Sequence, residues 1–293
     1  MRTGTWVLVL FLILTGLAGC TAKEPATLIL NTSDYPRIDG STATIPLSEA
    51  VASKVLQLPL EEARQYVVHN TTPLAYENLM AKKVDLIFVT SPSEEEQAMA
   101  KEKGIQLEVI PVVNEGFVFL VNAKNPVNSL TLEQIRGIYS GEITNWKEVG
   151  GDDKGIVAYQ RPVNSGSQTG MLDLVIGKEE IMEPPMESVI AEMGQLIDAV
   201  AVYHNETDAI GYSYYYFATD MWNKEEVKLL SVEGIAPDKD SIGKGTYPIM
   251  TAYYAVMRSD EPADSNARKL VDWIRSEQGQ QTAEEAGYVR MQK

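Results

Sequence analysis

Ile156-Val157-Ala158-Tyr159-Gln160-Arg161-Pro162-Val163-Asn164-Ser165-Gly166-Ser167-Gln168-Thr169 runs from a short apolar segment into a loop of small polar residues. The apolar part reads as a buried strand, and the segment from Ser165 toward Ile176 as a helix. The same grammar recurs along the chain. Val84–Val89 is a continuous apolar strand that ends in Thr90-Ser91-Pro92-Ser93, and Ser93-x-x-Glu96 is a capping box that opens a helix. Asn70-Thr71-Thr72 precedes a helix through Ala81. Asp39-Gly40-Ser41-Thr42-Ala43-Thr44 precedes Pro46, which suits a first helical turn, and a helical pattern through Leu56. Strands alternating with helices predict an α/β fold with a parallel sheet.

Outward from these loops the pattern continues. Thr27–Leu30 reads as a strand, followed by a loop over Asn31 to Thr44, and Gln65–Val68 as another short strand. Glu108–Val113, Gly116–Val121, Ala209–Tyr212, Val227–Leu230 and Ile249–Met257 read as strands. Thr131-x-x-Gln134 is a second capping box, Val189–Tyr203 reads as helical, and helices from Pro262 to Ala286 end the sequence.

The chain has 293 residues, 44% hydrophobic and 23% charged, enough for one large domain or two ordinary ones. Its formal charge is −16, which argues against nucleic acid and against a polybasic membrane surface as partners. One Cys excludes an internal disulfide framework, and two His exclude most His-rich zinc sites; no cofactor or metal is expected. At the N-terminus a positive Met1-Arg2 precedes an apolar stretch from Thr5 to Ala18, the shape of a secretory signal. It ends in Leu17-Ala18-Gly19-Cys20, which resembles a bacterial lipobox. Residues 1–19 are therefore expected to be a lipoprotein signal peptide, Cys20 the lipidated residue, and 20–26 a tether. The protein is expected on the outer face of the cell membrane.

Four hydroxyl-rich loops at the carboxyl ends of strands lie where α/β sheets bind ligands. Helix N-termini there offer unpaired N–H groups and a partial positive charge. Small hydroxyl side chains add donors, and Gly40 and Gly166 allow close approach. Arg161 adds a permanently charged fork for an oxyanion. Any one such loop reads as an ordinary helix cap. Four of them with Arg161 read as a site for a small tetrahedral anion. The candidate ligand-binding residues are Ser41, Thr42, Thr71, Thr72, Thr90, Ser91, Arg161, Ser165, Gly166 and Ser167; no residue is expected to be catalytic. Other features read as structural: Ser241-x-x-Lys244, His69, His204, the Tyr212–Tyr216 cluster, Glu94–Glu96 and Asp152-Asp153.

The chain resembles the PstS-type phosphate-binding lipoproteins, the solute receptors of phosphate ABC transporters. Asp39–Thr44 followed by Pro46-Leu47 is similar to that family's first phosphate loop, and Arg161-x-x-x-Ser165-Gly166-Ser167 to its Arg-x-x-x-Ser-Gly-Thr signature. Gly116–Asn122, Leu130-Thr131-x-x-Gln134-Ile135, Gly141–Trp146 and Ile210-Gly211-Tyr212 also resemble the family. The resemblance implies a two-lobed, periplasmic-binding-protein-like type II fold with a mixed, mostly parallel sheet in each lobe. One lobe would hold 27–114 plus 248–293 and the other 115–247, with Gly116–Val121 and Ile249–Met257 crossing between them. It implies a monomer that captures an inorganic oxyanion, foremost phosphate, in the cleft and delivers it to an ABC permease. Ser41, Thr42, Thr72 or Thr71, Arg161, Ser165, Gly166 and Ser167 would touch the anion. A sensor or adhesion module of the same fold, or a secreted hydrolase, is the alternative. Two positions depart from the family: Thr90-Ser91-Pro92 holds no Asp where phosphate receptors often have one, and Val163 stands where an Asp often pairs with the Arg. Asp39 or Glu94 are candidates for the missing carboxylate.

Overall fold

The computed structural model describes residues 27–177, 180–202 and 207–292. The expected signal peptide, tether and Cys20, together with His204, lie outside them. Strands β1 (Ile38–Gly40), β2 (Leu86–Val89), β3 (Leu107–Asn122), β5 (Val157–Ala158), β6 (Ala209–Tyr214), β7 (Val227–Leu229) and β9 (Met250–Arg258) form one sheet in the order β1-β2-β9-β3-β6-β5, with β7 also on β3. A separate parallel pair joins β4 (Ser129–Leu130) to β8 (Ser231–Val232).

The sixteen-residue β3 organises the molecule. From Leu107 to Gly116 it pairs antiparallel with β9, which in turn pairs with β2. From Phe117 to Asn122 it pairs instead with β6 and β7. The two apolar strands read separately at 108–113 and 116–121 are thus one strand that changes partners. Its register slips between Pro111 and Val113, where a residue without an N–H fits a bulge better than a regular ladder. At the change of partner Gly116 lets Ile242 pack closely, since a Cβ there would lie 2.8 Å from Ile242 Cδ1 and displace it.

β2 shows why its sequence is unbroken apolar. Leu86 and Phe88 enter the main core, whereas Ile87 and Val89 enter a second cluster with Tyr76 and Leu79. Successive side chains point to opposite faces, and here both faces are covered. Burying each such side chain contributes roughly 1.5–3 kcal/mol.

Helices cover the sheet and start where the sequence signals them: α1 (Ile45–Leu56), α3 (Thr72–Met80), α4 (Glu94–Glu102) and α5 (Leu132–Ser140). Both halves of the capping box are made at Ser93/Glu96 and at Thr131/Gln134. The helix after Ser165 is α6 (Gly166–Gly170), continued by a π-helical stretch, Met171–Ile176. The remaining helices are α2 (Leu60–Ala63), α7 (Met193–Val202), α8 (Lys239–Gly243), α9 (Asn266–Ile274) and α10 (Glu277–Glu285).

Several expectations need correction. The sheet is mixed, but antiparallel pairing outweighs parallel, because β3 and β9 are the longest strands and run antiparallel. Thr27–Leu30 forms no strand; Leu30 N–H instead caps Val55 O at 3.0 Å. The strand lies within the stretch read as loop, at Ile38–Gly40, where only three residues pair with β2. Arg64–Tyr66 is a 3-10 turn, and only Val67 bridges to Ile38. The helix read from Val189 begins at Met193.

Candidate functional site

Asp39, buried at the end of β1, organises the first two loops. Its Oδ1 accepts from Gly40 N (2.7 Å) and Asn70 N (3.0 Å), and its Oδ2 from Asn70 Nδ2 (2.8 Å) and Asn78 Nδ2 (2.9 Å). Four donors occupy the carboxylate's acceptor positions, so Asp39 ties loop to loop and has no capacity left for a ligand. Thr44 Oγ1 donates to Phe88 O at 2.6 Å, and Ser41 N to the same carbonyl at 3.0 Å. The Ser41 amide is thus committed to β2, and its hydroxyl lies 3.4 Å from Thr44 Oγ1. The Thr42 amide follows a 3-10 start and has no such partner among the described residues.

At the end of β2, Thr90 is buried, and its Oγ1 makes no hydrogen bond of good geometry among the described residues. Across the cleft stands Gly166. A Cβ on Gly166 would lie 2.7 Å from Thr90 Oγ1 and 2.8 Å from Thr72 Oγ1, so the hydroxyls of two loops converge on the start of α6. There Ser165 Oγ accepts from Gln168 N and Ser165 O from Thr169 N. The amides of Gly166 and Ser167 come too early in the helix for an intrahelical partner.

Arg161 closes the ring. Its backbone N–H donates to Tyr212 Oη at 2.9 Å, and Tyr212 donates to Gln168 Oε1, which fixes the loop against β6 and α6. Nη1 donates to Ser167 Oγ (3.2 Å) and Nη2 to Ala191 O (2.9 Å), while Nε is buried without a partner. No described carboxylate forms an ion pair with it. Burial pulls its pKa below the usual arginine value, yet arginine stays charged in proteins.

One cavity of about 480 Å³ gathers Ser41, Thr42, Thr71, Thr72, Thr90, Arg161, Ser165, Gly166 and Ser167. Ser91 does not line it; the alternation that aims Thr90 inward turns its neighbour away. Glu94 does not line it either. Sequence reading missed Ala191–Gly194, Tyr214, Phe217 and Trp222 on the same wall, because apolar residues there look like core. The single carboxylate on the wall is Glu192, which is exposed.

Among the described residues, most of the features read as structural are so placed. Ser241 completes the capping box that Asp238 opens at α8, its Oγ donating to Ala236 O at 2.7 Å, and Lys244 pairs with Asp240. His69 Nε2 lies 2.5 Å from Ser48 Oγ, but Ser48 is fully buried, so no substrate reaches the pair. Burial lowers His69 to about 4, leaving it neutral at pH 7. Tyr212 and Tyr216 are core residues, and Tyr214 reaches the cavity while donating to Gly166 O at 2.7 Å. Among the described residues no cluster of His, Cys, Asp and Glu is placed to hold a metal, and no helix is long and apolar enough to cross a membrane.

A mixed sheet that changes partners along one strand, with a cavity lined by hydroxyls, free amides and an arginine, is consistent with the fold of a solute-binding protein. The profile of the PBP superfamily domain matches residues 31–278, and the chain belongs to that family. It is 25% identical over 254 residues to the phosphate-binding protein PstS of Bacillus subtilis, covering 86% of this chain and 79% of that one. It is also 25% identical over 268 residues to PstS of Borreliella burgdorferi, covering 86% and 88%. The structure of an ABC-type phosphate transport receptor from Vibrio cholerae matches with a TM-score of 0.65 at 26% identity, over 86% of this chain and 98% of the other.

Proposed function

We propose that this protein is the extracytoplasmic receptor of a phosphate ABC importer, a binding protein that makes and breaks no bond. The observation that carries the reading is the convergence of the Thr72 and Thr90 hydroxyls on the start of α6, beside an Arg161 that no described carboxylate pairs with. The names of the relatives point the same way. Phosphate would accept from the amides of Thr42, Gly166 and Ser167, from the hydroxyls of Ser41, Thr71, Thr72, Thr90, Ser165 and Ser167, and from Arg161. Such charge-assisted bonds are the strong ones, and the surface charge of −16 is largely screened beyond ~8 Å at physiological salt.

The two lobes are 27–114 with 248–293, and 115–247. The change of partner along β3 at Gly116/Phe117 supports that division. Closure of the lobes on the anion would present it to the permease. Cys20 would carry the lipid that holds the monomer on the membrane after removal of 1–19; the lipobox-like sequence supports this, and mass analysis of the mature N-terminus tests it.

Calorimetric titration of the ligand-free protein with phosphate and with sulfate tests the reading. Micromolar or tighter phosphate binding is expected. Absence of binding to either anion would remove the oxyanion receptor from consideration.

A further inference from the structure

The candidate anion cradle accounts for only part of the cavity's lining. About 480 Å³ falls within the roughly 300–1,000 Å³ of sites that take drug-sized organic molecules. A tetrahedral oxyanion has five heavy atoms, the bulk of two or three waters at roughly 30 Å³ each. The rest of the wall differs in kind: Val163, Met193, Phe217 and Trp222 line it. The Trp222 indole is parallel to Phe217 within 6°, with ring centroids 6.2 Å apart. Its Nε1 donates to Asp198 Oδ1 at 3.0 Å, and its ring lies over Gly194, where a Cβ would come within 2.8 Å of it. The ring is fixed from three sides and is nevertheless 38% exposed. A large apolar ring held rigid beside a cavity is a surface for an organic group.

The cradle's chemistry is a second observation. Its amides and guanidinium only donate, its Ser and Thr hydroxyls can donate or accept, and the nearby carboxylate, Asp39, is saturated by four N–H groups. Glu192, at the exposed start of α7 beside Met193, lines the same cavity and is near enough to Arg161 to act on its charge. Donors outnumber acceptors in such a cradle, which favours a phosphoryl group whose terminal oxygens are all acceptors. Inorganic phosphate keeps a P–OH at neutral pH. A phosphate monoester has the P–O–C bond in that place and loses its last acidic proton near pH ~6.

Building on the oxyanion-receptor reading, we propose that the cleft takes phosphate monoesters, with the phosphoryl group in the cradle and an alkyl or aryl substituent against Met193, Phe217 and Trp222. The test is calorimetric titration of the ligand-free full chain at pH 8 with inorganic phosphate and with phenyl phosphate, repeated on Trp222→Ala. Phenyl phosphate is expected to bind at least tenfold tighter than inorganic phosphate, and the substitution to bring the ratio close to one. Should Trp222→Ala fail to fold, Trp222→Leu replaces it, and the wild-type ratio is decisive by itself. Equal or weaker binding of phenyl phosphate, or a ratio that Trp222 substitution leaves unchanged, overturns the monoester proposal while the oxyanion receptor stands. If neither compound binds, the receptor reading itself has failed, and the monoester proposal with it.

Discussion

At the scale of single residues, Arg161 and Asp39 divide the work of the cleft. Arg161 reaches the cavity with one nitrogen buried and unpartnered. A hydrogen bond to a charged group contributes about 1.5–3 kcal/mol. Arg161→Met is therefore expected to weaken phosphate binding roughly ten- to hundredfold at unchanged fold, read by titration and circular dichroism. Asp39 works behind the cavity, holding the Ser41 and Thr72 loops together through Gly40, Asn70 and Asn78. Asp39→Asn would set an NH2 group against N–H donors. It is expected to lower unfolding free energy by about 1–3 kcal/mol, a loss that urea denaturation would measure; a stability equal to wild type would mean the loops are held by something else. That all the candidate residues but Ser91 line one cavity was legible in the sequence, because Ser, Thr, Gly and Arg together read as anion-site chemistry. Asp39's task was not, since its partners lie 31 and 39 residues away in sequence and a lone carboxylate beside a hydroxyl loop reads equally as ligand or brace. Trp222 and Phe217 were illegible for a different reason: an apolar side chain looks the same facing a core or a cleft.

Elements were legible where the signal is local. Both capping boxes, at Ser93 and Thr131, open helices as read, since the box is settled within four residues. The failures were short segments whose state depends on a distant partner: Ile38–Gly40 is a strand because β2 lies beside it, and Thr27–Leu30 is not one because nothing pairs with it. The start of α6 is the element on which the cleft turns. Gly166 meets the Thr72 and Thr90 hydroxyls so closely that a methyl group there would stand 2.7–2.8 Å from both. Alanine is the better helix former by about 1 kcal/mol, so Gly166→Ala should not unfold the protein. It should hold the loops apart and lower phosphate affinity at least tenfold. Wild-type affinity in this variant would show that the loops do not need to approach the helix to bind the anion.

Across the whole molecule, the two halves meet at the change of partner in β3, and a carboxyl group is buried there. Glu115 accepts from Gly116 N at 2.9 Å and from Tyr216 N at 3.3 Å, and Tyr216 stacks on Tyr288 at 3.7 Å, joining the middle of the sequence to its end. Burial outweighs these hydrogen bonds and pushes the Glu115 pKa from its ordinary 4.5 up to about 8. The folded protein therefore keeps a proton that the unfolded chain has released. Where the folded state binds more protons, stability falls as pH rises. The contribution is complete below about pH 4.5 and is lost as pH climbs to about 8. Glu96, raised by burial to about 7, adds a loss of the same sign that ends sooner. His69, lowered to about 4, acts oppositely, but only below its ordinary value of 6.5. Between pH 7 and 8 Glu115 is thus the group among these three that still titrates. Glu115→Gln keeps a similar shape and cannot ionise. Its unfolding free energy, measured in urea from pH 5 to pH 9, is expected to fall less steeply than that of wild type, with the difference on the order of a few kcal/mol across the range. The divergence should be clearest between pH 7 and 8. Parallel curves for the two proteins would mean that Glu115 is ionised in the fold and that the junction of the halves tolerates a buried charge.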